Sequence, residues 1–275
     1  MPHTNRKKKT GADPKQRNNV AQPMKRIQVV DGDGWVHVVG GGKKAGDGAA
    51  WTHAGDFERG GVAYINRTVE EMRGDFEYYR KQWESSEAAG QLRETLKGRE
   101  GVKNVVCLGL GSLQSARREG RRSSFTQLAA LCMILEELAG EDSGKIQCIH
   151  QDPQFTDTDK EFLQSLEGTV VDDPAAFGHV TEDSLVYAIH CYAPVYTTIS
   201  EGPRPRVVIG TDIDNFGRLN LNPEQQLTSH RSGKRDTDTE SLENMIKDCE
   251  VINFPQLRHD FSDTKIYWRR SNPSV

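Results

Sequence analysis

Four short apolar runs in this chain each end on residues able to do chemistry. Gly109, Gly111 and Ser112 follow residues 105–108, and Asp152 follows 146–149. His190 and Cys191 follow 185–189, while Asp212, Asp214 and Asn215 follow 206–210. Glycines at a strand end let backbone N–H groups approach a phosphate, a carboxylate or a ribose. An acid placed like Asp152 can meet ribose hydroxyls, or it can serve as a turn residue ahead of Pro153. His190 has the titration range of a general acid or base, and an equally good use as a hydrogen-bonded loop residue. A Cys191 nucleophile activated by His190 is disfavoured, because neighbouring strand residues point to opposite faces.

These signals stop short of a named reaction. The glycine motif reads G-x-G-x-x-Q, without the third glycine of a dinucleotide fingerprint, and Asp152 lies 41 residues after Gly111. The usual interval from that turn to the ribose-binding acid is about 20 residues. The loop therefore suits a dinucleotide, another nucleotide or nucleoside, or a purely structural turn. Arg117, Arg118, Arg121 and Arg122 form a basic loop beside this presumed cleft, either an anion clamp or a solvated insertion. Neither G-x-x-x-x-G-K-[ST], H-E-x-x-H nor G-x-S-x-G occurs. The catalytic residue stays unassigned, with His190 as the candidate. Gly109, Gly111, Ser112, Asp152 and Asn215 are the candidates for holding a nucleotide-like ligand.

The elements that would position these residues alternate along the chain. Residues 27–30 and 35–39 are β-rich and flank Asp31-Gly32-Asp33-Gly34, a hairpin signal. A glycine- and lysine-rich linker follows to residue 50. From Ile65 to Trp83 apolar residues recur every three or four positions, the pattern of an amphipathic helix. Weaker helical character continues through 84–101. The run at 105–108 suits a strand buried on both faces. A periodic helix is expected from Ser123/Ser124, with Ser124 and Gln127 as its capping box, and Gly140 is a candidate stop. Thr158 and Glu161 are expected to cap a further helix before a short strand at 169–171. Pro194 is expected to open a helix after the fourth strand.

Residues 217–238 are polar and read as a loop. Leu242, Met245, Ile246 and Cys249 mark one more helix, followed by a strand at 251–254. The run 265–268 is expected to close the sheet at an edge. Strands alternating with helices predict an α/β, Rossmann-like, doubly wound and mostly parallel sheet, preceded by an N-terminal β-hairpin and a long helix. The expected organisation is a disordered basic tail over 1–24, hairpin and linker over 25–50, and the α/β domain over 51–275. In such sheets ligands bind outside the carboxyl ends of the strands, where strand order reverses.

Composition narrows the classes. Hydrophobic residues make up 35% and charged residues 28%, and the longest apolar runs are a few residues, too short to span a bilayer. The net charge of −4 hides a split: residues 1–26 hold eight Lys or Arg against Asp13 alone, leaving −11 on the remainder. An acidic folded part disfavours nucleic acid as a partner, and leaves a small molecule or a protein. The N-terminus lacks the apolar segment of a secretory signal, and Lys7-Lys8-Lys9 is a nuclear-import or anion-binding patch, or else a solvated tail. The five cysteines show no CxxC spacing. Free thiols in a reducing compartment are expected, and a cysteine zinc site is disfavoured.

Taken together, residues 106–112, Gln127-Leu128-Ala129, Gln151-Asp152-Pro153 with Phe155 and Asp159, His190-Cys191 and Asn215-Phe216 resemble the Sensitivity to Red-light Reduced (SRR-like) family. Asp31-Gly32-Asp33-Gly34-Trp35 and Phe261-Ser262-Asp263-Thr264 with Trp268 resemble the family's flanks, so the likeness covers about residues 27–270. The chain departs from the family pattern at 113–122, where arginines replace serines, and at Tyr192-Ala193. The resemblance implies a Rossmann-like domain in a cytoplasmic and nuclear regulatory protein. The roles it implies are circadian and light signalling, or regulation of haem biosynthesis and cell proliferation. The alternative is an enzyme using a nucleotide or S-adenosylmethionine-type cofactor at the strand ends. On either reading, Gly111→Val and Asp152→Ala are expected to abolish binding of a nucleotide-like ligand with the fold intact, measured by thermal-shift titration.

Overall fold

The computed structural model describes residues 55–139, 146–215 and 237–270, together with the backbone of two strands nearer the N-terminus. Contacts divide the chain into two units, Met1–Trp51 and Thr52–Val275. In the first, β1 (Arg26–Val30) and β2 (Val36–Gly40) pair antiparallel with Val30 opposite Val36. The two strands thus pair as a hairpin, and the expected turn Asp31-Gly32-Asp33-Gly34 lies outside the described residues. The basic tail 1–24, the linker to residue 50, Gly140 and most of the polar stretch 217–238 lie outside the described residues.

The second unit opens with a hairpin that the sequence reading missed, β3 (Phe57–Arg59) and β4 (Val62–Tyr64). Gly60 and Gly61 turn it with φ of +59° and +77°, the left-handed pair that a two-residue hairpin loop requires. The Gly-Gly dipeptide between β-prone residues was the available signal. Helix α1 (Val69–Glu84) follows, with a capping box in which Thr68 and Glu71 satisfy each other's backbone N–H groups. Ser86 caps the shorter α2 (Glu87–Leu96).

Seven strands form the main sheet: β5 (Asn104–Leu108), β6 (Gln147–Gln151), β7 (Thr169–Val170), β8 (Ser184–Ala188), β9 (Val207–Thr211), β10 (Cys249–Asn253) and β11 (Thr264–Arg269). Their spatial order is β10-β11-β9-β8-β5-β6-β7. Strands β5 to β9 are mutually parallel, and β11 runs antiparallel between β9 and β10. The expected edge strand at 265–268 is thus interior, because the chain turns back from β10 and inserts β11 beside β9. Cys249 begins β10 and does not end a helix, contrary to expectation; the helix before it, α6 (Thr237–Ile246), stops three residues earlier.

Alternation along the strands explains why both faces carry helices. Val105, Cys107, Cys148, Leu185, Tyr187, Val207 and Ile209 join one core cluster with residues of α1, α2, α3 (Arg118–Ala139) and α4 (Asp157–Ser165). Val106, Leu108, Ile149, Val186, Ala188 and Val208 point the other way and are equally buried. There α5 (Ala193–Glu201) packs against α6, and Pro194 stands in its first turn as expected. The hydroxyl of Tyr196 donates to Ala188 O and accepts from Thr211 N–H, tying α5 to the ends of β8 and β9.

Two helix starts fall elsewhere than expected. Helix α3 begins at Arg118, so Ser124 lies inside it and donates to Gly120 O one turn back (3.1 Å), leaving no role as a cap. From Arg118 on, the basic segment is therefore the start of a helix, with only Arg117 left in the loop. For α4 the capping box is Thr156 with Asp159, two residues before the Thr158/Glu161 pair. Aromatic packing locks these helices together, with Tyr79 stacked on Phe125 at 5.7 Å and Phe76 edge-on to Phe162 at 5.9 Å.

Trp83, fully buried at the end of α1, sits 5.1 Å from the Phe261 ring and 6.4 Å from Phe254. It carries the contact between α1 and the connection from β10 to β11. Trp83→Ala should destabilise the second unit by about 3–5 kcal/mol, seen as a lower urea midpoint without loss of helical circular dichroism below the transition.

Candidate functional site

Parallel pairing places the carboxyl ends of β5, β6, β8 and β9 on one rim, with Leu108 level with Gln151 and Ala188 level with Gly210. From β5 the chain winds one way to β6 and β7, then crosses over to β8 and β9. Strand order therefore reverses between β5 and β8, the position at which open α/β sheets hold ligands. Gly109 and Cys191 face each other across it: a Cβ on Gly109 would lie 2.5 Å from Cys191 Sγ. Cys191 donates to Leu108 O at 3.3 Å, and burial pushes its thiol up to about 12. It is a neutral packing group at this crevice, not a thiolate nucleophile.

The loop after β5 is folded around two carboxylates. The N–H of Gly111 donates to Asp152 Oδ2 at 2.7 Å, and Gln154 N–H donates to Oδ1 at 2.7 Å. Asp159 is fully buried and accepts from Ser112 Oγ (2.7 Å), Leu113 N (3.0 Å), Thr156 N (2.8 Å) and Thr156 Oγ1 (3.0 Å). Gly109 N–H donates to Gln151 O at 3.1 Å. The backbone donors that a phosphate at Gly109 and Gly111 would need are already engaged by this chain's own acceptors. Ser112 points inward to Asp159 and is 1% exposed.

The β3–β4 hairpin closes one side of this loop. Ile65 N–H donates to Gln114 O (2.8 Å), Ala116 N–H to Ala63 O (2.9 Å), and Arg59 Nη2 to Phe155 O (2.5 Å). Gln114, itself 1% exposed, donates to Arg67 O and accepts from Thr156 Oγ1. Asp159, Thr156 and Gln114 thus form the inner support of the site. Thr156 and Asp159 carry the [ST]-x-x-[DE] capping pattern, a signal visible in the sequence. The partnership of Gln114 with Thr156 joins residues 42 positions apart and leaves no local trace.

The remaining candidates lie farther along the rim. His190 is exposed and adopts a left-handed φ of +57°, and its Nε2 lies 2.9 Å from Ser262 O. Non-glycine residues in that conformation are uncommon, though histidine tolerates it better than most. Asn215 ends a 3₁₀ turn after β9, and its N–H donates to Asp212 O. Asp212 accepts from Asp214 N–H and lies 3.6 Å from the Lys265 ammonium. Gly109, Gly111, Ser112 and Asp152 are therefore one bonded unit, whereas His190 is tied to the β10–β11 connection and Asn215 to its own turn.

The four arginines also separate. Arg121 donates to Ser115 O and Arg122 to the buried Asp260, while Arg117 and Arg118 are exposed. Burial and the adjacent Arg67 lower the Arg121 guanidinium from its usual value.

Gly111→Val is not the fold-neutral probe expected above. Gly111 has φ +79°, and a Cβ there would lie 2.8 Å from Ser124 Oγ, so any side chain strains the backbone and presses on α3. Burial is the main cause that raises both the Asp152 and Asp159 carboxyls above their ordinary 3.8. Protonation is thus favoured more in the folded than in the unfolded chain. The stability linked to it is full below 3.8 and is lost as pH rises through the elevated folded values. Asp152→Asn should accordingly gain stability relative to the parent as pH increases from about 4, read from paired urea titrations across pH.

A family model described as the SRR1 domain matches residues 84–268. A curated SRR1-like protein of Drosophila melanogaster is 23% identical over 194 residues, which cover 66% of this chain and 66% of the relative. The chain thus spans just under two thirds of that relative's length. The matched domain contains all seven strands of the sheet except the last residue of β11, the glycine loop with Asp152 and Asp159, and the switch in strand order. With well over half of its residues inside that match, the chain belongs to the SRR1 family.

Proposed function

We propose that this chain is a regulatory SRR1-family protein whose α/β domain binds a small nucleoside-type ligand at the rim between β5 and β8. One observation carries the choice of ligand class: the Gly111 N–H is held by Asp152 at the crevice itself. A phosphate brought to that turn would displace a carboxylate and then lie beside it, a like-charge contact. A ribose offers hydroxyl donors that a carboxylate can accept, and a cationic ligand is attracted to it. An uncharged or cationic nucleoside therefore fits better than a di- or triphosphate. The family roles in circadian and light signalling, haem biosynthesis and proliferation are what such binding would regulate, in the cytoplasm and nucleus. No described helix is long and apolar enough to cross a membrane, in keeping with a ligand or protein partner.

A second reading, an enzyme with an S-adenosylmethionine-type cofactor, is favoured by strand order. Counted from β5, the sheet runs 3-2-1-4-5-7-6 with an antiparallel seventh strand. This order is shared with folds that bind S-adenosylmethionine, an analogy that speaks to architecture and not to chemistry.

A thermal-shift series over adenosine, S-adenosylmethionine, NAD, ATP and haem tests the proposal. Adenosine and S-adenosylmethionine should raise the melting temperature, with little response to NAD or ATP. A flat response to every compound removes the ligand-binding reading. Release of S-adenosylhomocysteine in cell extract would select the enzyme over the regulator.

A further inference from the structure

Away from the rim, a cavity of about 190 Å³ opens between α3, β6 and α4. Its lining includes Leu131, Leu135, Leu163 and Leu166, together with Gly168 and His150. His150 is 4% exposed, and the ring edge it turns toward Gly168 is the one that carries Cδ2 and Nε2. Gly168 keeps the space beside the ring open: a Cβ there would lie 2.8 Å from Cδ2 and 2.9 Å from Nε2.

We propose that this cavity binds a neutral, one-ring-sized apolar molecule bearing a single hydroxyl or carbonyl, which hydrogen-bonds to His150 Nε2, the ring nitrogen on the edge that Gly168 leaves open. The volume sets the size, since a dry apolar cavity of about 150 Å³ accommodates benzene. The walls set the polarity. Burial lowers the imidazole to about 4, so the ring is neutral at physiological pH, with one nitrogen donating and the other accepting. Burial also lifts the lining thiol of Cys132 to about 12 and raises that of Cys148, so both stay protonated. Glu136 and Glu167 stand among the lining residues and oppose an anionic ligand. The site is independent of the nucleoside reading. It lies on the face of β6 that carries Cys148 and His150, while Gln151 turns to the opposite face and accepts from Ala176 N–H at 2.7 Å.

The test uses the full chain with two probes of nearly equal shape, 4-methylphenol and toluene. 4-Methylphenol should bind saturably, move the ¹⁵N resonances of the His150 ring, and outbind toluene by about three- to tenfold, the range of one net hydrogen bond. His150→Phe should reduce 4-methylphenol to the affinity of toluene and leave toluene unchanged. Gly168→Ala should weaken both by narrowing the cavity. The proposal is overturned by no saturable binding, by equal affinity of the two probes, or by binding with unmoved His150 resonances. Should His150→Phe fail to fold, the two probes and the ring resonances of the parent chain still decide.

Discussion

A single buried carboxylate holds the rim in shape. Asp159 gathers the loop after β5 and the start of α4 by accepting from Ser112, Leu113 and Thr156. Taking an isolated carboxylate out of water is expensive by several kcal/mol. Four donors, each worth about 1.5–3 kcal/mol to a charged acceptor, are of the size needed to offset that. The net effect still raises the Asp159 carboxyl, with desolvation the largest cause. Burial thus outweighs the hydrogen bonds in setting its protonation, while the hydrogen bonds set its geometry.

This constraint changes what the glycines mean. In a phosphate-binding loop, open backbone donors face the ligand and the following helix points its N-terminus there. Here Gly111 and Leu113 donate to carboxylates of the same chain. The left-handed backbone at Gly109 and Gly111 serves close approach: Cys191 Sγ lies against one glycine and Ser124 Oγ against the other. The loop is a rigid platform at the switch in strand order, with acids behind it, and that polarity favours uncharged or cationic ligands.

Strand β6 joins the two candidate sites through its pleat. His150 faces the cavity under α3 and α4, and Asp152, just past the strand end, pins Gly111 at the rim. Between them Gln151 donates to Asp173 and accepts from Ala176 N–H on the opposite face. Side chains of successive residues diverge to opposite faces of a sheet. Three consecutive residues can therefore serve three separate surroundings on one short element. Any shift of β6 along its axis would be felt at all three.

The sequence by itself determined the alternation of strands and helices, the parallel character of the central sheet and the residues at its carboxyl ends. Those follow from local periodicity, from β-branched runs and from glycine and proline positions, all written within a few residues of one another. It also carried the capping pair Thr156 and Asp159 and the Gly60-Gly61 turn, two signals each written within four residues. The start of α3 was hidden because Arg118, Glu119, Gly120, Arg121 and Arg122 make its opening turn polar, with the apolar stripe beginning only at Phe125. Tertiary structure decided the rest: that β11 slots between β9 and β10, that Asp152 turns to Gly111 and not outward, and that His190 bonds to Ser262. Each of these depends on partners far away in the chain, 41 residues apart for Asp152 and Gly111 and 72 for His190 and Ser262. Chain closure over such distances is set by the packed sheet and not by neighbouring residues, so no local pattern can encode it.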